Sequence, residues 1–243
     1  MPDAPKVEGA ETARRALRVL ELVARAGRPI GLDELVRRAE LAKSTVYRLL
    51  RVLADEGYVE RVETGGYVSG TRLLSLAAAA MPDADSYARC LPLLRELADA
   101  ASETATLHRR AGDHALLVLG AQSNAHSLRR VATAGESTPL VRGSSGLALL
   151  SALPTTVVDE LLDGMASDDT RRVRRALTGA HTRGYVLSFG SNHPGINGIA
   201  APVSDRPLSI ALSGPEARWT RDRMTAFAPH LLAAVKRVAA LLF

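Results

Sequence analysis

The chain has 243 residues, of which 47% are hydrophobic and 23% charged, so its composition is that of a folded globular protein with one large or two smaller domains. Its single cysteine, Cys90, excludes an internal disulfide and any zinc or iron-sulfur site built from several cysteines. No apolar run is long enough to span a bilayer, and the first ten residues include acids instead of an apolar signal core. We therefore expect a cytoplasmic protein without a membrane anchor.

Positive charge is concentrated near the N-terminus. The whole chain has 31 Lys and Arg against 26 Asp and Glu, a net charge of +5. Residues 12–51 alone contain ten basic and four acidic residues, an excess of six, so the rest of the chain is close to neutral. This asymmetry predicts a polyanionic partner for the N-terminal part, and arginine has the forked donor geometry that suits phosphate and guanine.

The first 70 residues have the pattern of three helices followed by a hairpin. The predicted helices cover residues 12–25, with Thr12 as the cap, residues 32–39, and residues 43 or 44 to 57. Strands follow over residues 58–62 and 67–69, with a glycine pair in the turn between them. Two short helices joined at residues 40–42 are typical of a helix-turn-helix, and the hairpin would be its wing. The first helix is predicted to pack through Ala13, Ala16, Leu17, Leu20 and Ala24, with further apolar residues left for a second subunit.

The third helix separates apolar from polar side chains. At 100° per residue, one side gathers Val46, Leu49, Leu50 and Leu53, which predicts that this side packs against the domain. The other side presents Ser44, Tyr47, Arg48 and Arg51, with Thr45 at the edge. Such a face fits the major groove, where hydroxyl and guanidinium groups bond phosphates, base edges or both. Lys43 and Ser44 begin the helix, where the backbone also favours a phosphate.

Three stretches of the N-terminal part, ARRALRVLELVA, KSTVYRLLRVLADEGYVER and GGYVSGTRLLSLAAAA, resemble the IclR family of bacterial transcriptional regulators, and the likeness extends over residues 10–242. The resemblance implies a winged helix-turn-helix over residues 10–70, a linker helix over 71–83, and an effector-binding and oligomerisation domain of GAF-like α/β fold over 84–243. It implies a homodimer or dimer of dimers that binds a double-stranded DNA operator. The expected DNA-binding residues are Arg14, Arg15, Lys43, Ser44, Thr45, Tyr47, Arg48 and Arg51.

The C-terminal part is predicted to be an α+β domain. The predicted helices cover residues 71–81, 84–101, 146–152, 155–165 and 169–183, together with a closing helix from residue 220. The predicted strands cover residues 104–110, 115–122, 185–188, 198–203 and 208–213. Strands and helices of modest length alternate without a long parallel βα repeat, which is why the pattern indicates α+β.

Three segments of this domain are candidate ligand sites: the Ser-Gly loop 142–146, the amide-rich loop 192–198 and the strand 209–215. Each segment on its own is equally consistent with ordinary loop or strand structure. Their order is similar to that of the effector-pocket segments of the family. The resemblance therefore implies an effector site formed by Leu128, Ser144, Ser145, Gly146, Ser188, Ile196, Asn197, Gly198, Ala211 and Ser213. The expected effector is a small organic acid, apolar or aromatic with one carboxylate.

An enzyme is the principal alternative. Residues 143–146 place two serines between glycines, but the spacing is not that of a hydrolase nucleophile, Gly-x-Ser-x-Gly. His108, Asp113 and His114 could meet across a hairpin, yet they lack metal-site spacing and are expected to be surface residues. We therefore expect no catalytic residues, metal or cofactor. A hydrolytic or metabolite-sensing enzyme with an accessory winged helix, and a protein-binding adaptor, remain the alternatives.

Overall fold

The computed structural model describes residues 9–63, 65–81 and 84–242. Its contacts divide the chain into two compact units, Met1–Ala84 and Asp85–Phe243. Within the described ranges, no helix is both long and apolar enough to cross a membrane.

The first unit contains four helices and one hairpin. In chain order the elements are α1 (Ala10–Arg25), α2 (Leu32–Ala39), α3 (Lys43–Asp55), β1 (Val59–Arg61), β2 (Tyr67–Ser69) and α4 (Thr71–Ala80). The two strands pair antiparallel, and Ile30 forms a bridge to Tyr67 that ties the hairpin to the start of α2. The α2–α3 turn is tight because Glu40 adopts a left-handed conformation with φ of 55°. The order of elements is the predicted one, although position 64 of the hairpin turn and position 82, the predicted stop of α4, lie outside the described residues.

The core of the first unit is formed by one face of each of α1, α2 and α3 and by the hairpin. Its buried residues are Val19, Val23, Ile30, Leu35, Ala39, Val46, Leu49, Leu50, Leu53, Val59 and Tyr67. Two details of the prediction for α1 are wrong. The helix begins before Thr12, which does not cap it. Leu17, which was predicted to pack, is 65% exposed, and the predicted packing residues Ala13 and Ala24 are also exposed. Apolar residues occur on both sides of α1, so periodicity alone did not identify the side that packs.

The second unit is a six-stranded antiparallel sheet with helices on both faces. Its helices are α5 (Ala84–Ala88), α6 (Leu91–Ala101), α7 (Gly143–Ser151), α8 (Thr155–Leu162), α9 (Ser167–Arg183) and α10 (Arg221–Leu241). Its strands are β3 (Thr104–Ala111), β4 (His114–Gln122), β5 (Ser137–Pro139), β6 (Val186–Phe189), β7 (Ile196–Val203) and β8 (Leu208–Pro215). The sheet order is β5-β4-β3-β8-β7-β6. Pairing of β3 with β8 brings together residues about a hundred positions apart in the sequence.

Alternation along the strands divides the core of the second unit between the two faces of the sheet. Ala200 and Ala211 share one cluster with buried residues of α7, α8 and α9. Their neighbours Ile199, Ile210 and Leu212 point to the opposite face and are also fully buried, where α6 and α10 pack. The sheet is therefore covered on both sides.

Several elements of this unit differ from the prediction; for example, α8 ends at Leu162 instead of residue 165, and β7 begins at Ile196 instead of residue 198. The single helix predicted over residues 84–101 is two helices, because Pro92 is accommodated in the first turn of α6. Helix α7 begins at Gly143, three residues earlier than predicted, so Ser144 and Ser145 lie in its first turn instead of in a loop. The short strand β5 was not predicted.

A buried ion pair provides a test of the packing in the second unit. The carboxylate of Glu103 is fully buried and accepts hydrogen bonds of 2.7 and 3.0 Å from the guanidinium of Arg218. Because Arg218→Ala leaves a buried charge without a partner, we expect it to lower the free energy of unfolding by about 3 kcal/mol. Urea unfolding followed by the fluorescence of Trp219, which is fully buried in this unit, measures the change.

The control is Arg237→Ala. Arg237 makes a similar ion pair with Glu96, but both of those side chains are exposed, so we expect little change in stability. The double variant Glu103→Gln/Arg218→Ala should recover part of the loss because no charge is then left buried. Equal losses in Arg218→Ala and Arg237→Ala would contradict the assignment.

Candidate DNA-binding surface and effector cavity

Helix α3 is fixed with its polar side outward. Val46, Leu49, Leu50 and Leu53 are buried in the core of the first unit. Ser44, Tyr47, Arg48 and Arg51 are exposed, and Thr45 is partly exposed at the edge between the two faces. The structure thus shows the orientation that the helical period predicted. It leaves a face available to a partner that is largely polar and also includes the exposed Val52.

Ion pairs separate the basic residues of the first unit into two groups. Most of them contact an acid on the same or a neighbouring helix: Arg14 and Arg15 with Glu11, Arg18 with Glu40, Arg25 with Glu21, Arg28 and Arg38 with Glu34, Lys43 with Asp33, and Arg72 with Glu56. Arg48 and Arg51 make no ion pair with any described residue. Among the described residues of this unit, Arg37 on α2 and Arg61 on β1 also make no ion pair, so two of the four arginines without an acid partner lie on the exposed face of α3.

Lys43 is held at the start of α3 by a contact with α2. Its amine lies 2.8 Å from a carboxylate oxygen of Asp33. The hydrogen bond and the charge of Lys43 hold the pKa of Asp33 below its ordinary value. A phosphate at this position would have to compete with Asp33 for the same amine.

The second unit contains a small polar cavity between the sheet and the N-terminus of α7. Its volume is about 30 Å³, room for about two water molecules. Seven of the predicted effector residues line it: Ser144, Ser145, Ser188, Ile196, Asn197, Gly198 and Ser213. The register explains this grouping, because Gly198 on β7 lies opposite both Ser188 on β6 and Ser213 on β8. The absence of a side chain at Gly198 keeps the space open, since a Cβ there would lie 2.5 Å from the Ser144 hydroxyl.

Three of the predicted effector residues do not line the cavity. Leu128 was expected to supply an apolar wall, but its side chain is 71% exposed. Gly146 packs against the backbone of Leu140, where a Cβ would have no room. Ala211 is buried in the core beneath α7. The three residues differ from the prediction because a local motif does not specify where α7 begins or which side chains are buried.

Eight further described residues line the cavity that were not among the predicted effector residues. Strands supply Thr106, His108 and Thr138, loops supply Arg130 and Glu136, and the candidate segments 142–146 and 192–198 supply Gly143, Asn192 and His193. Thr106 and His108 lie on the same face of β3, so polar residues at alternate positions of an apolar strand were an available signal. Arg130 and Glu136 had no such signal, because their place depends on the fold around them.

The cavity contains one ion pair and two histidines. Arg130 lies 2.5 Å from a carboxylate oxygen of Glu136, and its guanidinium is also 3.4 Å from Nε2 of His193. His108 was expected at the surface but is buried. Burial, with a smaller contribution from the charge of Arg130, lowers the pKa of His108 from 6.5 to about 3, so its ring is neutral at pH 7. Its buried Nδ1 has no hydrogen-bond partner in the described part of the chain.

The N-terminus of α7 adds donors at the cavity wall. Gly143 has a φ of +65°, and its amide donates to the hydroxyl of Ser191. The first amides of a helix have no partner within the helix and carry part of its positive dipole end, a position that favours an anion. Among the described residues, no group of three or more His, Cys, Asp or Glu has the arrangement of a metal site.

Burial of His108 predicts a pH dependence of stability. Below pH 6.5 the unfolded chain takes up a proton at this histidine, whereas the folded chain does not do so until the pH approaches about 3. The stability is therefore complete above pH 6.5 and falls with decreasing pH, by up to about 1.4 kcal/mol per pH unit between pH 6.5 and 5. Urea unfolding at a series of pH values should show a smaller slope for His108→Leu than for the wild-type chain. Parallel profiles in the two proteins would contradict the buried, neutral state.

Comparison with known proteins agrees with this architecture in both units. Residues 12–63 match the IclR helix-turn-helix domain, and residues 78–240 match the bacterial transcriptional regulator IclR C-terminal domain. The transcriptional repressor IclR of Escherichia coli is 26% identical over 97% of this chain and 91% of its own length. A glycerol operon regulatory protein of Streptomyces griseus is 29% identical over 95% of this chain and 94% of its own.

A solved structure shows the same fold. An IclR homologue from Microbacterium hydrocarbonoxydans, crystallised in complex with 4-hydroxybenzoate, superposes with a TM-score of 0.72 over 95% of this chain and 98% of its own, at 23% identity. The matches to both domains of the family cover most of the sequence and define the family. The chain belongs to the IclR family of bacterial transcriptional regulators.

Proposed function

We propose that this regulator binds operator DNA through α3 and that a small effector in the cavity of the second unit changes its affinity for that DNA. The observation that carries the proposal is the pair of exposed guanidinium groups, Arg48 and Arg51, on a helix whose opposite side is locked into the core. A major groove admits one helix presenting such a face, and arginine is the commonest specific reader of guanine.

The side chains of α3 have different roles in this proposal. Ser44, Thr45, Tyr47 and Arg48 contact base edges, because they lie in the first two turns of the helix. Lys43 and Arg51 contact phosphates, and Arg14 and Arg15 on α1 add to the positive field although both share Glu11. Base contacts supply specificity, and phosphate contacts supply affinity that depends on salt.

The second unit supplies the effector site. The cavity combines hydroxyls, amides and a guanidinium at the N-terminus of a helix, which suits a small anion. A protein of the same fold is known in complex with 4-hydroxybenzoate, which supports a small acid as the class of ligand. An effector acts by binding two arrangements of the DNA-binding domains with different affinity. The functional division is a winged helix over residues 10–70, a linker helix over 71–83 and an effector-binding domain over 84–243.

We further propose that the protein is a homodimer or a dimer of dimers. Leu17 on α1 and Leu74 and Leu76 on α4 are exposed, and no described residue of α4 is buried. A second copy of the chain would cover these leucines and place two recognition helices on one operator. Repression is the proposed direction, because the Escherichia coli relative is a repressor.

Two other functions can be separated from this proposal by experiment. An esterase would lose turnover on replacement of Ser144 or Ser145, but the relatives are regulators and we propose no catalytic role. A protein-binding adaptor would lack salt-sensitive retention on specific DNA. Retention on an operator selected from random DNA therefore separates the regulator from both.

Replacement of Arg48 tests the reading role of α3. We expect Arg48→Ala to weaken binding to the selected operator by about 1–3 kcal/mol and to relax the preference at one base position. Electrophoretic mobility shifts on operator and on random DNA, over a range of salt concentrations, measure both effects. Arg95→Ala, an exposed arginine of the second unit, is the control for loss of charge. Equal weakening on all sequences would assign Arg48 to phosphate, and unchanged binding would remove it from the interface.

The ion pair between Lys43 and Asp33 gives a prediction of opposite sign. Asp33→Asn releases the amine of Lys43 and removes a negative charge beside α3. We expect tighter binding to all DNA sequences and a steeper dependence on salt. The slope of the logarithm of the binding constant against the logarithm of the salt concentration should increase in magnitude by up to about one. The same binding assay measures it, with Asp85→Asn in the second unit as the control. Weaker binding would show that Asp33 is needed to position Lys43.

A further inference from the structure

Arg130 places a largely buried positive charge in the wall of the cavity. Its side chain is only 12% exposed, and that of its partner Glu136 is 34% exposed. The backbone around both residues is anchored. The carbonyl of Arg130 accepts a 2.6 Å hydrogen bond from the hydroxyl of Thr104, and the carbonyl of Glu136 accepts one from the amide of Leu117 on β4. The backbone of Arg130 is therefore anchored to the sheet, and its guanidinium is held at the cavity by Glu136.

Among the described residues that line the cavity, Glu136 is the one acid. The other lining groups are neutral or are hydrogen-bond donors: serine and threonine hydroxyls, the amides of Asn192 and Asn197, and the neutral ring of His108. Each carboxylate oxygen can accept more than one hydrogen bond, so a second carboxylate would find donors on several sides. A cation with a single competing acid, surrounded by donors, is an arrangement that selects a monoanion.

We infer that Arg130 is the anchor for the carboxylate of the effector and that Glu136 competes with the effector for the same guanidinium. This inference rests on the proposed function, in which the cavity is the effector site. The forked guanidinium binds one carboxylate in a two-point geometry, so a ligand carboxylate can replace Glu136 without leaving the charge unpaired. Glu136 thereby sets the affinity, because every ligand must displace it or share the cation with it.

The same lining indicates the polarity of the ligand. Among the described residues that line the cavity, Ile196 is the only one with an aliphatic side chain. A short hydroxy or oxo acid fits these conditions, because its second oxygen can bond the unpartnered Nδ1 of His108 or a serine hydroxyl. This class differs from the apolar or aromatic acid expected from the sequence. The difference arises because five polar or charged residues enter the cavity from segments that the motifs did not include: Thr106, His108, Arg130, Glu136 and Thr138.

The test uses the full chain with two probes of equal size, glycolate and its uncharged amide, glycolamide. Isothermal titration calorimetry should detect binding of glycolate but not of glycolamide at millimolar concentration. Arg130→Gln should weaken glycolate binding at least about tenfold, because a hydrogen bond to a charged group is lost. Glu136→Gln should strengthen it several-fold, because the competitor is removed. Opposite signs for two substitutions in one ion pair would not arise from simple damage to the fold.

Matched controls are available in the chain. Arg129→Gln removes the adjacent arginine, which does not line the cavity, and Glu160→Gln removes an exposed acid of α8. Neither should change glycolate binding, and circular dichroism verifies that all four variants are folded. Equal glycolate affinity in the wild-type, Arg130→Gln and Glu136→Gln chains would overturn the inference. Absence of charge-dependent binding in both the wild-type and the Glu136→Gln chains would overturn it as well.

Failure of this inference is distinguishable from failure of the proposed function. Retention of the wild-type chain on its selected operator is measured in parallel, together with the response of that complex to a library of neutral small molecules and larger acids, including 4-hydroxybenzoate. A compound that alters operator binding equally in the wild-type and Arg130→Gln chains would leave the regulator in place and remove Arg130 as its anchor. If the wild-type chain bound no operator at all, that result would instead refute the proposed function.

Discussion

Burial of one side of α3 is the constraint on which the proposed DNA-binding surface depends. Val46, Leu49, Leu50 and Leu53 are inserted into the core formed with α1, α2 and the hairpin. Rotating the helix to turn Arg48 and Arg51 inward would expose these side chains and bury two guanidinium groups, each of which is costly without a partner. The apolar face therefore fixes the direction of the charged face.

The cavity depends on a different kind of constraint, namely long-range strand pairing. Thr106 and Ser213 are far apart in the sequence, and they meet at the cavity only because β3 pairs with β8. Helix α7 then covers this face of the sheet and brings Ser144 and Ser145 to the wall of the cavity. The residues of a site assembled in this way come from many elements. A shift in the register of any one strand pair would move its residues out of the cavity.

The sequence predicts the features that follow from local periodicity and misses those that follow from tertiary structure. The bounds of α2 and the outward face of α3 could be read from the helical period, whereas the packed side of α1 could not, because Leu17 and Val19 are equally apolar. Serine-rich and glycine-rich segments located much of the cavity wall. Arg130 and Glu136 could not be located in this way, since they come from irregular segments whose positions depend on contacts with β3, β4 and one another.

The surroundings of each arginine determine what its charge can do. Most ion pairs of the first unit are exposed, so water and salt screen them and they contribute little to stability. Arg48 and Arg51 share that solvent exposure but have no acid partner, which leaves them free to exchange counterions for phosphate. Arg130 is screened much less, so its charge cannot be left without a partner at low cost. A surface arginine binds a new anion by releasing small counterions, whereas Arg130 binds one in place of the carboxylate of Glu136. Because the ligand must replace this carboxylate, binding at the cavity is sensitive to the charge and shape of the ligand.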